Sequence, residues 1–348
     1  MEEKLKVLVV DDATFMVKAI QDLLETDPNI EAVGTARNGE EGLQKIKELK
    51  PDVVTLDIDM PIMDGIRAIR HIMIEAPRPI VVLSSLFNDG GVTFEALRPG
   101  VVDFIPKPSG AISKDIENGR KEIIDRVKIA TAVNMENIRR VRLSDWNTAE
   151  GLNERYRFRS LDYLLVMGTT LSGPNTFIRV LSHLPATLLA AVVVVQEISP
   201  KILPAFARKF DEFVPWKISV AEDNLRLEQG TCYVCSNEHT LLFESDTDGE
   251  TRLRLNGGGN RPLNTLFASA AEVFQQHTIG VMLTGVGDDG AEGFSRIRER
   301  SGITIAQSTE TCVYPNLTHN VISNGLVDVV AEENKMAGII EVMMKEAD

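Results

Sequence analysis

Apolar runs of strand length alternate with stretches of helical spacing along most of the chain, in two successive series. In the first, KVLVV (6–10), EAVGTA (31–36), DVVTLDI (52–58), PIVVLSS (79–85) and VDFIPKP (102–108) read as strands. Phe15 to Leu24, EEGLQKIKEL (40–49) and GIRAIRHIMIEA (65–76) carry apolar side chains at three- and four-residue spacing and predict helices. Repeated βα units of this kind predict a doubly wound parallel sheet, whose functional crevice opens at the carboxyl ends of the strands. Asp11, Asp12, Asp57, Ser84 and Lys107 all fall at such ends.

The second series begins at YLLVMGTT (163–170). It continues with LLAAVVVVQE (188–197), ISVAE (218–222), TIGVMLTG (278–285), ITIAQS (303–308) and LVDVVA (326–331) as strands. NTFIRVLSHL, LPAFARKFDEF, LNTLFASAAEVFQQH and the C-terminal AGIIEVMMKEA predict helices between and after them. CYVCS and LLFES…TRLRL, the latter joined by DTDG, predict a β-hairpin insertion. Between the series, NIRRVRLSDWNTAEGLNERYRFRS has no sustained period and concentrates arginine, as a solvated connector does. The expected organisation is one domain over residues 1–130, a linker over 131–160 and a second α/β domain over 161–348.

Composition narrows the function classes. A chain of 348 residues with 43% hydrophobic side chains can bury two cores. A net charge of -14 argues against nonspecific binding to nucleic acid or to an anionic membrane surface. No apolar run reaches bilayer-spanning length, and the N-terminus does not read as a signal peptide, so no membrane insertion and a cytoplasmic location are expected. The three cysteines make no disulfide framework. Cys232 and Cys235 sit three apart on a strand, so their thiols should diverge as packed structural groups. A DNA-binding regulator is disfavoured, because the second domain is α/β and acidic and has no helix-turn-helix segment.

Asp11, Asp12 and Asp57 together form an oxygen cage suited to Mg²⁺, with Asp57 placed as a carboxylate nucleophile toward a phosphoryl group. Lys107 can neutralise phosphoryl oxygens, and Ser84 can donate a hydrogen bond to them. VLVVDDA, LDIDMPIMDG, VVLSS and DFIPKP, in this order, resemble the receiver domain of two-component response regulators. The resemblance implies a flavodoxin-like fold, Asp57 as phosphoacceptor, Mg²⁺ on Asp11, Asp12 and Asp57, and phosphate sensing by Ser84 and Lys107. It also places Phe104 as the switch aromatic and a sensor histidine kinase as phosphodonor.

MGTTLSGPNTF (167–177), VVVVQEISP (192–200) and LTGVGDDGAEGF (283–294) are three further strand ends rich in hydroxyls and carboxylates. With AEDNLRL, NRPLNTLF and AQSTETCVY, they resemble the catalytic domain of the chemotaxis protein-glutamate methylesterase, a Ser-His-Asp hydrolase of receptor glutamyl esters. The resemblance is incomplete at the triad. The serine position is Thr170 and the histidine position is Glu197, while the aspartate is retained as Asp289. The family's methionine in a G-M-G turn is Val286, and its G-M-P is Asn316-Leu317-Thr318. None of His71, His183, His239, His277 and His319 falls where it could replace the imidazole.

A hydroxyl attacks an ester only when a base near neutral pKa takes its proton and returns it to the leaving alkoxide. An ordinary glutamate, with a pKa of about 4.3, is a weak base at pH 7 and has no proton to return. Glu197 beside Asp289 should repel it, share a proton with it or hold a cation, leaving Asp289 with nothing to orient. The favoured reading is a phosphorylation-controlled signalling protein whose effector binds a chemoreceptor or chemosensory adaptor with little or no hydrolysis. The alternative is an active methylesterase using Thr170 with Glu197 and Asp289.

Overall fold

The computed structural model describes residues 4–85, 90–107, 114–138, 161–171, 173–245 and 250–346. The chain divides into two compact units, Met1–Arg140 and Val141–Asp348. The arginine-rich segment expected as a linker lies, from residue 139 to 160, outside the described residues. Its first part belongs to the first unit: Val133 is buried, and a Cβ added to Gly100 would run into Ile138.

The first unit alternates β1 (Leu5–Val10), α1 (Thr14–Leu24), β2 (Ile30–Ala36), α2 (Gly39–Leu49), β3 (Val53–Leu56), α3 (Gly65–Glu75), β4 (Ile80–Ser84), α4 (Gly90–Leu97), β5 (Asp103–Pro106) and α5 (Lys114–Thr131). Its strands form one parallel sheet in the order β2-β1-β3-β4-β5. This is the flavodoxin-like order, and the direction of winding reverses between β1 and β3. β3 and β4 are buried at every position, as strands covered by helices on both faces must be. Asn38 and Asp64 cap α2 and α3 by accepting from the Glu41 and Arg67 N–H groups.

The second unit contains β6 (Tyr163–Gly168), α6 (Gly173–His183), β7 (Ala190–Gln196), α7 (Leu203–Asp211), β8 (Lys217–Val220), β9 (Thr231–Ser236), β10 (His239–Ser245) and β11 (Thr251–Gly257). After these come α8 (Pro262–Phe274), β12 (Thr278–Met282), α9 (Ala291–Glu299), β13 (Ile303–Gln307), α10 (Asn316–Ser323), β14 (Val329–Ala331) and α11 (Glu333–Glu346). Seven strands form a second parallel sheet, ordered β14-β13-β12-β6-β7-β9-β8. Here the winding reverses between β6 and β12.

β10 and β11 pair antiparallel as the expected hairpin; the DTDG segment joining them lies outside the described residues. CYVCS, read as part of that insertion, is instead β9, inside the parallel sheet between β7 and β8. All six of its residues are buried, which a strand with helices on both faces requires. Cys232 and Cys235 are free and buried, as is Cys312, and burial pushes the Cys235 thiol up to about 12 and that of Cys312 up to about 11. Among the described residues, no helix is long and apolar enough to cross a membrane.

Candidate functional site

In the first unit, the reversal between β1 and β3 brings Asp11 and Asp57 together. The Asp57 N–H donates to the Val10 carbonyl at 2.9 Å, which continues the strand pairing into the site. Lys107, directly after β5, reaches both carboxylates, with Nζ 2.7 Å from Asp11 Oδ2 and 2.7 Å from Asp57 Oδ2. Asp11 and Asp57 are buried, whereas Asp12 is exposed at the mouth. Ser84 is fully buried at the end of β4, and its carbonyl accepts the Lys107 N–H. Phe104 is half-buried on β5, paired in register with Val82.

Burial raises the Asp57 pKa above its ordinary value. The nearby Asp11 charge adds to this, and Lys107 and the Ile58 N–H only partly offset it. Burial works against the Lys107 charge, but its bonds to Asp11 and Asp57 outweigh that, and its pKa lies above the ordinary lysine value. One lysine among three acids leaves excess negative charge. Ligand oxygens of Asp11, Asp12 and Asp57 lie within 4.8 Å of one another. An all-oxygen set with one open, solvent-facing side fits Mg²⁺, which keeps several waters.

In the second unit, the corresponding crevice lies between the ends of β6 and β12, and it is bridged by two threonines. The Thr169 hydroxyl donates to the Thr284 carbonyl at 2.6 Å. Thr170 Oγ1 accepts the Val286 N–H at 2.6 Å and donates to the Val286 carbonyl at 3.0 Å. Gly285 permits this approach, since a Cβ there would lie 2.8 Å from the Thr170 nitrogen. The Thr170 hydroxyl proton is therefore directed at a backbone oxygen, which cannot act as a base.

Asp289 is not idle, which corrects the expectation that it would be left with nothing to orient. Its Oδ2 accepts the Leu263 N–H at 2.8 Å and its Oδ1 the Asn264 N–H at 3.1 Å, so it caps α8 from another loop. Pro262 opens this helix, and the residue before it, Arg261, has no side-chain acceptor. A proline start without a local cap was the sequence signal that an acceptor must come from elsewhere. Burial raises the Asp289 pKa, against the pull of these N–H groups and of Arg261. Its neighbour Asp288 is exposed, pairs with Arg261 and receives the Asn320 amide on its carbonyl.

Glu197 follows directly on β7, next to β6, and is half-buried. Thr170, Glu197 and Asp289 thus follow three neighbouring strands at one end of the sheet. Of the three outcomes expected for the effector acids (repulsion, a shared proton or a cation), the cation finds no ligand cluster among the described residues. Among the described residues, the one group of three or more ligand side chains near enough to share an ion is Asp11, Asp12 and Asp57. The structure adds residues that the sequence reading did not single out, namely Thr169, the backbone of Val286, and the N–H groups of Leu263 and Asn264.

Two family models match the chain: "Response regulator receiver domain" over residues 7–115 and "CheB methylesterase" over residues 165–340. A protein-glutamate methylesterase/protein-glutamine glutaminase of Caldanaerobacter subterraneus subsp. tengcongensis is 36% identical, covering 98% of this chain and 96% of its own length. One of the same description from Symbiobacterium thermophilum is 36% identical, covering 97% of each. Among solved structures, the catalytic domain of Thermotoga maritima CheB methylesterase is 28% identical over 53% of this chain and 98% of its own, with a TM-score of 0.49. With both its domains matched, in the order receiver then effector, the chain belongs to the CheB methylesterase family of chemotaxis response regulators.

Proposed function

We propose that the chain is a phosphorelay response regulator in which phosphorylation of Asp57 controls an effector that binds its target with little or no ester hydrolysis. A sensor histidine kinase is the phosphodonor, and a chemoreceptor or chemosensory adaptor in the cytoplasm is the target. Asp57 supplies the attacking carboxylate oxygen. Asp11, Asp12 and Asp57 would hold Mg²⁺, which when bound neutralises phosphoryl charge. Lys107, already within 2.7 Å of Asp57, meets the phosphoryl oxygens on the other side. Ser84 donates to those oxygens once they arrive, and Phe104 reads the change at β5.

The observation that carries the effector half of this reading is the Thr170 hydroxyl, used in both directions by Val286. An attacking hydroxyl must hand its proton to a base and point its lone pair at a carbonyl carbon. Here the proton faces a backbone carbonyl, one of the two oxygen lone pairs is taken by an N–H, and the position of the general base carries Glu197. The second reading, an active methylesterase, is favoured by the descriptions of the relatives. Release of methanol from a methylated chemoreceptor separates the two. The proposal expects no release above background from phosphorylated wild type, and retained receptor or adaptor binding in Thr170→Ala. Rapid release that Thr170→Ala abolishes would establish the second reading.

A further inference from the structure

The loop between β3 and α3 carries a feature that the phosphorylation chemistry does not use. Ile62 has φ of 68° and is 73% exposed. Around it, the Met63 N–H donates to the Pro61 carbonyl at 2.7 Å. A hydrogen bond spanning two residues about a positive φ is the mark of the rarer, strained form of γ-turn. Among the described residues with positive φ other than glycine, Ile62 is the one that is β-branched. That side-chain type is the least compatible with the left-handed region.

The surroundings explain the turn but not the isoleucine. The Gly39 N–H holds the Met63 carbonyl at 2.9 Å, and the Gly65 N–H holds the Ile58 carbonyl at 2.8 Å. Asp64 is committed to capping α3. The chain between Ile58 and Gly65 is therefore pinned on both sides, and residue 62 must take a left-handed conformation. Glycine or asparagine would do so without strain. An isoleucine that is strained and mostly exposed adds little to the core, so its use must lie in what it presents to solvent. It does so on the loop that leads from Asp57 to α3. On α1, which follows the neighbouring strand β1, Phe15 is 82% exposed.

We infer that Ile62 is a specificity-determining contact for a protein phosphodonor, meeting apolar surface beside the donor's phosphohistidine. The inference rests on the phosphorelay reading above. A protein that brings a phosphoryl group to Asp57 must approach over the carboxyl end of this sheet, from which the Ile62 loop and the start of α1 both leave, and there Ile62 and Phe15 offer exposed apolar area. A small phosphodonor such as acetyl phosphate reaches Asp57 without touching that area. The two donors therefore report on different parts of the site.

The test uses the full chain as wild type, Ile62→Gly, Ile62→Asn and Ile62→Leu. Labelling is followed from acetyl phosphate and from an autophosphorylated chemotaxis histidine kinase. Ile62→Gly and Ile62→Asn should unfold at higher temperature than wild type, because the strain is gone. Both should accept phosphoryl from the kinase about tenfold more slowly, the loss expected for one buried contact. Ile62→Leu, still apolar, should keep most of that rate, and acetyl phosphate should label all four alike. Unchanged kinase transfer in Ile62→Gly and Ile62→Asn would overturn the inference. So would an equal loss with both donors, which would place Ile62 in the chemistry rather than in the contact. Wild type labelled by neither donor would instead remove the phosphorelay reading, and the inference with it.

Discussion

The two parallel sheets reverse their winding at equivalent places, β1/β3 in the first unit and β6/β12 in the second, and do opposite things there. At the first reversal, two buried aspartates are held by one lysine, and the Ala13 and Ile58 N–H groups each donate to one further carboxylate oxygen. Their charges compensate only in part, and burial keeps the Asp57 pKa high. At the second, the polar groups are paired off. Thr169 and Thr170 bind the loop that follows β12, and Asp289 in that loop binds the start of α8. On the function proposed above, a switch-point crevice is chemically competent only while its polar groups retain unmet demand. Once backbone partners meet that demand, the same crevice becomes a tether.

The sharpest way to break this comparison is at Asp57. Asp57→Asn should abolish labelling by a small phosphodonor, and a chelator should do the same to wild type. Undiminished labelling of Asp57→Asn would mean that the first crevice is not the reactive one.

The next test concerns the effector. Methyl ester hydrolysis by this chain should fall about a thousandfold or more below that of a relative with an intact triad, the combined loss of general base and oriented nucleophile. Thr170→Ser with Glu197→His should recover part of that loss at most. Val286 would still hold the hydroxyl, and Asp289, fixed by the α8 N–H groups, would have to offer a remaining lone pair to the new imidazole from that position. Full recovery would show that the tether yields easily.

A smaller effect tests the capping role. Asp289→Ala should destabilise the effector transition by about 1–2 kcal/mol in urea unfolding, as loss of a helix cap does. Asp289→Asn, which keeps one acceptor, should lose less. No change in either would return Asp289 to a purely catalytic assignment.

The smallest expected effect is the pH dependence of stability at Asp57. Its folded pKa is raised above the ordinary 3.8, so the folded state holds this proton more tightly than the unfolded chain does. The stability tied to that proton is fully present below 3.8 and is lost as pH rises through the folded value. Asp57→Asn, which cannot ionise, should therefore unfold at higher temperature than wild type at neutral pH. The gap should close as the pH falls toward 3.8. Calorimetry of the receiver transition across that range checks the sign.

Much of this was legible before any coordinates. The β1, β3 and β4 runs are so short and uniformly apolar that only strands covered on both faces accommodate them, and Asp11, Asp57 and Ser84 then fall at strand ends by counting. The departures at Thr170 and Glu197 were equally plain, because they are changes of residue type at positions marked by their neighbours. CYVCS was harder to place. Its apolar pattern suits a strand in either a hairpin or a buried sheet, and only the partners β7 and β8 distinguish the two.

The amino-acid sequence alone determined the two βα series, the acids and lysine of the receiver and the glutamate that follows Gln196, where the resemblance expects a histidine, since residue type and spacing are local properties of the chain. Tertiary structure decided where each polar group sends its hydrogen bonds. Thr170 meets Val286 across a sequence separation of 116 residues, and Asp289 meets Leu263 across 26. Neither pairing leaves a periodic trace in the sequence, because a hydroxyl or carboxylate satisfies whichever donor or acceptor the fold brings to it. Ile62 is the converse case. The hydrogen bonds from Gly39 and Gly65 hold its turn from either side, and no spacing rule announces a positive φ at an isoleucine.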